Sequence, residues 1–294
     1  MQDGVYTDIS IEDYHANKTH ISSTVIKNAK DSLKHYDWYR RGLLPQSTGS
    51  HFAFGNAFEL ALLSTPEYLE KVAVKPEGDW IAECMKIKEY SNVRNTAKYK
   101  ELAEDFDMKN RGKYFINETG PESFETIEEM LSSCYQDKAI QGLIANTEYQ
   151  LSLFWTDPET GVRLKTRPDI CKRKKNVIVN VKTTLDGSPE AFTKDINKYD
   201  YALQACIESR GCIASGIMDK VDNYFWLVVE KVPPFNATIY EFAQTDIGAC
   251  MDGLDFLLSK ISKAEKQNLW PGYSERSDNK FGILTAKIPL WYNY

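Results

Sequence analysis

The chain has 294 residues, of which 42% are hydrophobic and 27% charged, with a net charge of −6. These values are those of an ordinary soluble protein with ample length for a large core, and no apolar run approaches the length of a membrane span. The six cysteines (Cys84, Cys134, Cys171, Cys206, Cys212, Cys250) form no Cys-x-x-Cys pair, which argues against zinc or iron–sulfur sites and for reduced thiols in the cytoplasm. Met1-Gln2-Asp3-Gly4 lacks the basic and apolar regions of a secretory signal. The acidic total argues mildly against a nucleic-acid partner. However, Arg163, Lys165 and Arg167 alternate in one locally basic stretch, and Lys172 to Lys175 extend it.

In chain order, Ile21-Ser22-Ser23-Thr24 opens a helix with a serine at its N-cap. Val25, Ile26, Ala29, Leu33 and Tyr36 follow at helical spacing towards Arg40, and Gly42 and Pro45 end the pattern. A second helix spans about Phe52 to Leu63. It is apolar around almost its whole circumference and so is expected to be buried. Its Glu59 is then anomalous, because a buried carboxylate is costly without a partner. Residues 75–113 are polar and predict exposed helices or a mobile insertion. A further helix starts near Pro121, with acids in its first turns.

The pattern changes at Glu148. Tyr149 to Trp155 alternates as a strand, Asp157 to Gly161 is a turn, Val162 to Ile170 returns, and Asn176 to Thr183 is a third strand. Together they predict an antiparallel meander. Ser188-Pro189 opens a helix, and Tyr199 to Cys212 forms another. Tyr224 to Lys231 and Ala237 to Phe242 read as a strand pair, and Ile247 to Gln267 as a long helix.

The chemistry concentrates at Arg167-Pro168-Asp169 and Asn180-Val181-Lys182. An acid at the end of one strand, then an acid-x-Lys on the next, suits hydrolysis of a phosphodiester. Carboxylates hold a divalent metal, and a lysine two residues on shares the same sheet face. Asp169 supplies one carboxylate, Glu59 a second from the buried helix, and the Val181 backbone carbonyl a third oxygen. Lys182 can offset charge developing on phosphate. Position 180 carries an amide where this pattern calls for an acid, so one negative charge is missing from the expected Mg²⁺ site.

The surrounding motifs are more specific. Lys165-Thr166-Arg167-Pro168-Asp169, Asn180-Val181-Lys182-Thr183-Thr184, Ser188-Pro189-Glu190-Ala191-Phe192 and Tyr201-Ala202-Leu203-Gln204-Ala205 together resemble the nuclease domain of RecE-type phage and prophage exonucleases, relatives of lambda exonuclease. Ile21 to Tyr36, Phe54 to Glu59, Val229 to Pro234 and Trp270 to Tyr273 extend the resemblance over about residues 20–275, weakest between 75 and 145. It implies an α/β (α+β) fold of the PD-(D/E)XK, restriction-endonuclease-like type, with a mixed central sheet flanked by helices, in one nuclease domain spanning 1–294. It also implies Mg²⁺, with Mn²⁺ able to substitute, and digestion of linear double-stranded DNA from 5′ ends to leave 3′ overhangs for recombination. A bacterial cytoplasm, a ring-shaped homo-oligomer and a RecT-like single-strand annealing partner follow from the same resemblance.

By motif position, Asp169 is then a metal ligand, Lys182 the catalytic lysine, and Gln204 the residue that orients Lys182 or substrate. Tyr201 lies one helical turn before Gln204. Ser22, Arg40, Arg163, Lys165, Arg167 and Tyr201 are the candidate DNA contacts. The family's metal-ligand histidine is replaced by Glu59, also an oxygen donor, and its Asp-x-Lys acid by Asn180. The second replacement predicts a weakened or inactive nuclease. The alternative is a DNA-end-binding or assembly protein that kept the fold and lost the chemistry.

Overall fold

The computed structural model describes residues 1–44, 50–89 and 91–287. The chain opens with β1 (Gly4–Tyr6) and α1 (Ile11–Ala16), where the Ser10 hydroxyl caps α1 by accepting from the Asp13 N–H. The sequence predicts one helix from Ser22 to Arg40. Three short helices stand there instead: α2 (Ser23–Ile26), α3 (Asn28–Asp31) and α4 (Leu33–Arg40). Ser32 makes the second break. Its backbone is extended, and its hydroxyl accepts from the His35 N–H to cap α4. This is the competition that a serine offers to an uninterrupted helix. The expected apolar stripe survives the breaks, with Ile26, Ala29, Leu33 and Tyr36 all buried. Gly42 takes a positive φ just after α4; Pro45 lies outside the described residues.

Helix α5 (Ser50–Leu63) follows, then α6 (Thr65–Lys71). Phe54, Ala57, Phe58 and Leu60 of α5 are buried, as its apolar circumference predicts. The polar segment after it forms helices, the first of the two expected alternatives, and adds a strand pair. Strands β2 (Val72–Lys75) and β3 (Tyr114–Asn117) pair in parallel, joined by a crossover containing α7 (Glu77–Met85) and α8 (Ala97–Lys109). Trp80, Cys84, Val93 and Tyr99 form a small separate apolar cluster there. Helices α9 (Phe124–Gln136) and α10 (Lys138–Ile144) lead to the strand-rich half.

That half contains β4 (Glu148–Tyr149), β5 (Ser152–Thr156), β6 (Arg163–Thr166), β7 (Ile170–Lys172) and β8 (Val177–Thr184). Helices α11 (Pro189–Tyr199) and α12 (Tyr201–Ala214) are separated by Asp200 in the left-handed region. Strands β9 (Asn223–Glu230) and β10 (Ala237–Glu241) and helix α13 (Gln244–Gln267) follow. The principal sheet runs β10-β9-β8-β7-β4 and is mixed, because β8 and β9 are parallel while its other pairs are antiparallel.

The simple meander is corrected at two places. The stretch from Tyr149 to Trp155 is cut at Gln150, which turns left-handed at φ 52. The stretch from Val162 to Ile170 is cut at Arg167-Pro168-Asp169. Strands β5 and β6 therefore join β1 in a three-stranded sheet, while β4 and β7 stay in the principal one. Pro168 has no N–H to give a ladder, so a strand breaks there readily. The Gln150 N–H donates to the Asp169 carbonyl at 3.1 Å and ties the two cuts together into a fork.

Side-chain alternation divides the core. Ile178, Tyr224, Trp226 and Val228 pack with Leu203 and Cys206 of α12 and Leu254 and Leu258 of α13. Val177, Val179, Leu227 and Val229 pack on the opposite face with Phe58 of α5 and Met130 of α9. Each such fully buried side chain contributes roughly 1.5–3 kcal/mol. The result is the expected architecture, a mixed central sheet flanked by helices. No helix among the described residues is long and apolar enough to cross a membrane.

Candidate active site at the fork between two sheets

Asp169 leaves the strand ladder at the fork, and its Oδ2 accepts the Val181 N–H at 2.7 Å. The N–H and C=O of one strand residue point to the same side, so the Val181 carbonyl opens towards Asp169 as well. Glu59 arrives from α5, and its Oε1 accepts from Gln150 Nε2 at 2.9 Å. Gln150 Oε1 in turn accepts from Arg167 Nη2 at 3.0 Å, while Arg167 Nη1 donates to the Ile9 carbonyl and to Ser152 Oγ. The left-handed turn at Gln150 thus joins the acid of α5 to the Arg-Pro-Asp segment.

On β8, the two-residue repeat points Asn180 and Lys182 to the face covered by α12. Lys182 Nζ donates to Gln204 Oε1 at 3.2 Å and stands 4.5 Å from the centre of the Tyr201 ring. Gln204 Nε2 donates to Glu208 Oε1 at 2.8 Å, one helical turn further on. Glu208 also accepts from the Tyr224 hydroxyl at 2.7 Å and, at a longer 3.4 Å, from Asn180 Nδ2. Sequence reasoning did not single out Glu208. Its signal was a lone acid at i+4 from Gln204, on a turn that otherwise reads Ala205-Cys206-Ile207.

A cavity of about 230 Å³ lies at the fork, and Glu59, Asp169, Arg167, Gln150, Gln204 and Glu208 contribute to its wall. Asn180 is wholly buried. It connects to the cavity through Glu208, as Lys182 does through Gln204. Glu59, Asp169, Lys182 and Gln204, predicted from four separate segments, are thereby brought together.

The expected DNA contacts divide. Ser22 makes no cap bond with its side chain and lines the cavity beside Ser23. Arg167 lines it too, and the Tyr201 ring lies against the Lys182 ammonium. Arg163 is exposed at the start of β6. Lys165 requires correction. It is 4% exposed, and its ammonium donates to the Tyr14 and Asn17 carbonyls, both at 2.6 Å. The face that alternation assigned to it is covered by α1, so its charge secures the end of that helix. Arg40 is also committed elsewhere, pairing with Asp37 at 2.7 Å and lying 4.6 Å from the centre of the Trp270 ring.

The electrostatics of the cavity are one-sided. Burial, and then the Asp169 charge, push the Glu59 carboxyl up to about 8, although Gln150, Lys182 and Arg167 oppose the shift. Burial likewise raises Asp169 against the pull of Lys182, the Val181 N–H and Arg167. Glu208 is pushed up to about 7 by burial and then by Asp169. The buried Asn180 Oδ1 has no hydrogen-bond partner.

Oxygen donors with excess negative charge and an unpartnered carbonyl oxygen fit a hard divalent cation. Among the described residues, no three His, Cys, Asp or Glu side chains close into a ready-made metal cage.

A helix-flanked mixed sheet, with Asp169 at the mouth of β7 and Lys182 beside it on β8, defines the class as the PD-(D/E)XK nuclease fold. The chain belongs to the PDDEXK-like domain family of unknown function (DUF3799), whose model matches residues 22–280. It is similar to the crystal structure of a protein from Eubacterium rectale described as a "Putative exonuclease", with a TM-score of 0.57, 12% identity, and 97% of each chain covered. At that identity the likeness is one of fold. A second solved structure, SSO0001, has a TM-score of 0.27 and 15% identity over 72% of this chain and 88% of that one, too low to carry an argument. No curated protein matches the chain in sequence.

Proposed function

We propose that this chain is a Mg²⁺-dependent exodeoxyribonuclease that digests linear double-stranded DNA from 5′ ends and leaves 3′ overhangs for recombination. The observation that carries the reading is the meeting of Glu59, Asp169, Lys182 and Gln204 around one fork. Asp169 and Glu59, with the Val181 carbonyl, would hold Mg²⁺ or Mn²⁺. When bound, the cation supplies charge for the phosphate oxygens and acidifies water for attack.

The chain's own residues do the rest. Gln204 and Tyr201 hold the Lys182 ammonium in place, and Lys182 offsets the charge that grows on the phosphate. Ser22 and Arg167 at the cavity wall, and the exposed Arg163, would hold the backbone of a DNA end. The resemblance to RecE-type exonucleases supports the 5′ polarity, a ring-shaped homo-oligomer around DNA, a RecT-like annealing partner and residence in a bacterial cytoplasm.

The test is release of nucleotides from a linear, 5′-phosphorylated duplex with Mg²⁺. Parent protein should release them and a chelator should stop it. Lys182→Met should lower the rate by about a hundredfold or more. Release that is indifferent to Lys182→Met would place the chemistry elsewhere. The buried amide at position 180 favours a second reading, a DNA-end-binding or assembly protein without cleavage. That reading predicts duplex binding that weakens steeply with salt and no release at all.

A further inference from the structure

Glu208 is the group in the cavity that the strand motif does not account for. It is 1% exposed. Its three hydrogen-bond donors are all neutral: the Gln204 amide, the Tyr224 hydroxyl and the Asn180 amide. The Lys182 ammonium reaches it only through Gln204. A buried carboxylate held by neutral donors alone is expensive, and a glutamine or an apolar residue would fill the same space at lower cost. A carboxylate offers about four acceptor positions, so three donors leave capacity facing the cavity that Asp169 shares. Beside it, Asn180 Oδ1 is buried and unpartnered. The acid missing from β8 and the surplus acid on α12 are thus in direct contact.

We propose that Glu208 supplies from helix α12 the carboxylate that strand position 180 lacks, and so restores the negative charge of the divalent-cation site. This rests on the nuclease reading for the identity of the site. In this arrangement Asn180 is the donor that steadies Glu208, and an aspartate at 180 would set two carboxylates against each other. The weakening expected from Asn180 alone is then offset by a residue twenty-eight positions away in sequence.

Mn²⁺ affinity decides the matter, measured by calorimetry on the full chain without DNA, with cleavage of linear duplex as a separate readout. Glu208→Gln should weaken Mn²⁺ binding by about tenfold or more, because ligand charge sets the affinity of such sites. The double variant Asn180→Asp with Glu208→Gln should recover to within about threefold of the parent. Asn180→Asp alone should not tighten binding by more than about threefold, since the charge is already present.

Parent-like affinity in Glu208→Gln, with binding lost in Asp169→Asn, would overturn the proposal and leave the nuclease reading standing. Binding that depends on Glu208 without any cleavage of DNA would sink the nuclease reading and keep the cation site. Parent protein that binds no Mn²⁺ would overturn both. If circular dichroism shows Glu208→Gln unfolded, Asn180→Asp decides alone: a gain of about tenfold would mean that the charge had been missing all along.

Discussion

At the scale of a residue, Lys165 shows how far one covered face can redirect a charge. Burial, with the Lys18 charge behind it, depresses the Lys165 ammonium to about 8 from 10.5. Below that window the lysine is charged in both states, and above it neutral in both. Between about 8 and 10.5 the unfolded chain holds the proton and the native chain has shed it, so stability rises with pH there. The expected outcome is that the thermal midpoint of the parent, measured against Lys165→Met, climbs between about pH 8 and 10. A flat difference would mean that the Tyr14 and Asn17 carbonyls keep the ammonium charged. Alternation along Arg163, Lys165 and Arg167 was legible in the sequence. It gives which side chains share a face, whereas burial of that face depends on α1, more than a hundred residues away.

At the scale of an element, α12 positions Gln204 and Glu208, and its distance from the three-stranded sheet rests on Gly211. A Cβ there would stand 2.8 Å from Thr166 Cγ2 and from Trp155 Cζ3, with Trp155 itself 4% exposed. Neither neighbour is the loose end of a flexible chain. Gly211→Ala should cost about 1–3 kcal/mol by overpacking, read as a lower urea midpoint at unchanged slope. Because the helix must move outward, the Lys182–Gln204 contact should loosen as well, and any nuclease activity should fall while the protein is still folded. Parent-like stability would show that the helix tolerates the shift. Helices α5, α12 and α13 were readable from apolar spacing. The division of the Ser22–Arg40 stretch into three was not, because extended backbone at Ser32 is a choice among local hydrogen bonds that periodicity does not report.

At the scale of the whole molecule, the site lies between the two sheets, so a ligand bound there should stabilise the fold. Mg²⁺ present at a hundredfold excess over its dissociation constant should add about 2.7 kcal/mol if it binds only the native state. The calorimetric midpoint should then rise, and Asp169→Asn should erase the rise; a midpoint indifferent to Mg²⁺ would remove the cation from the account. The sequence by itself determined most of the strands and helices, the motifs that carry Asp169 and Lys182 and the anomaly of Glu59, because periodicity and unusual residues in apolar runs are local properties of the chain; the mixed sheet followed only from the resemblance of those motifs. Only the tertiary structure decided that the meander splits at Gln150 and Pro168, that Lys165 is buried, and that Glu208 meets Asn180. Each of these depends on which distant segment covers which face, and the free energy that selects among such coverings is summed over the whole core.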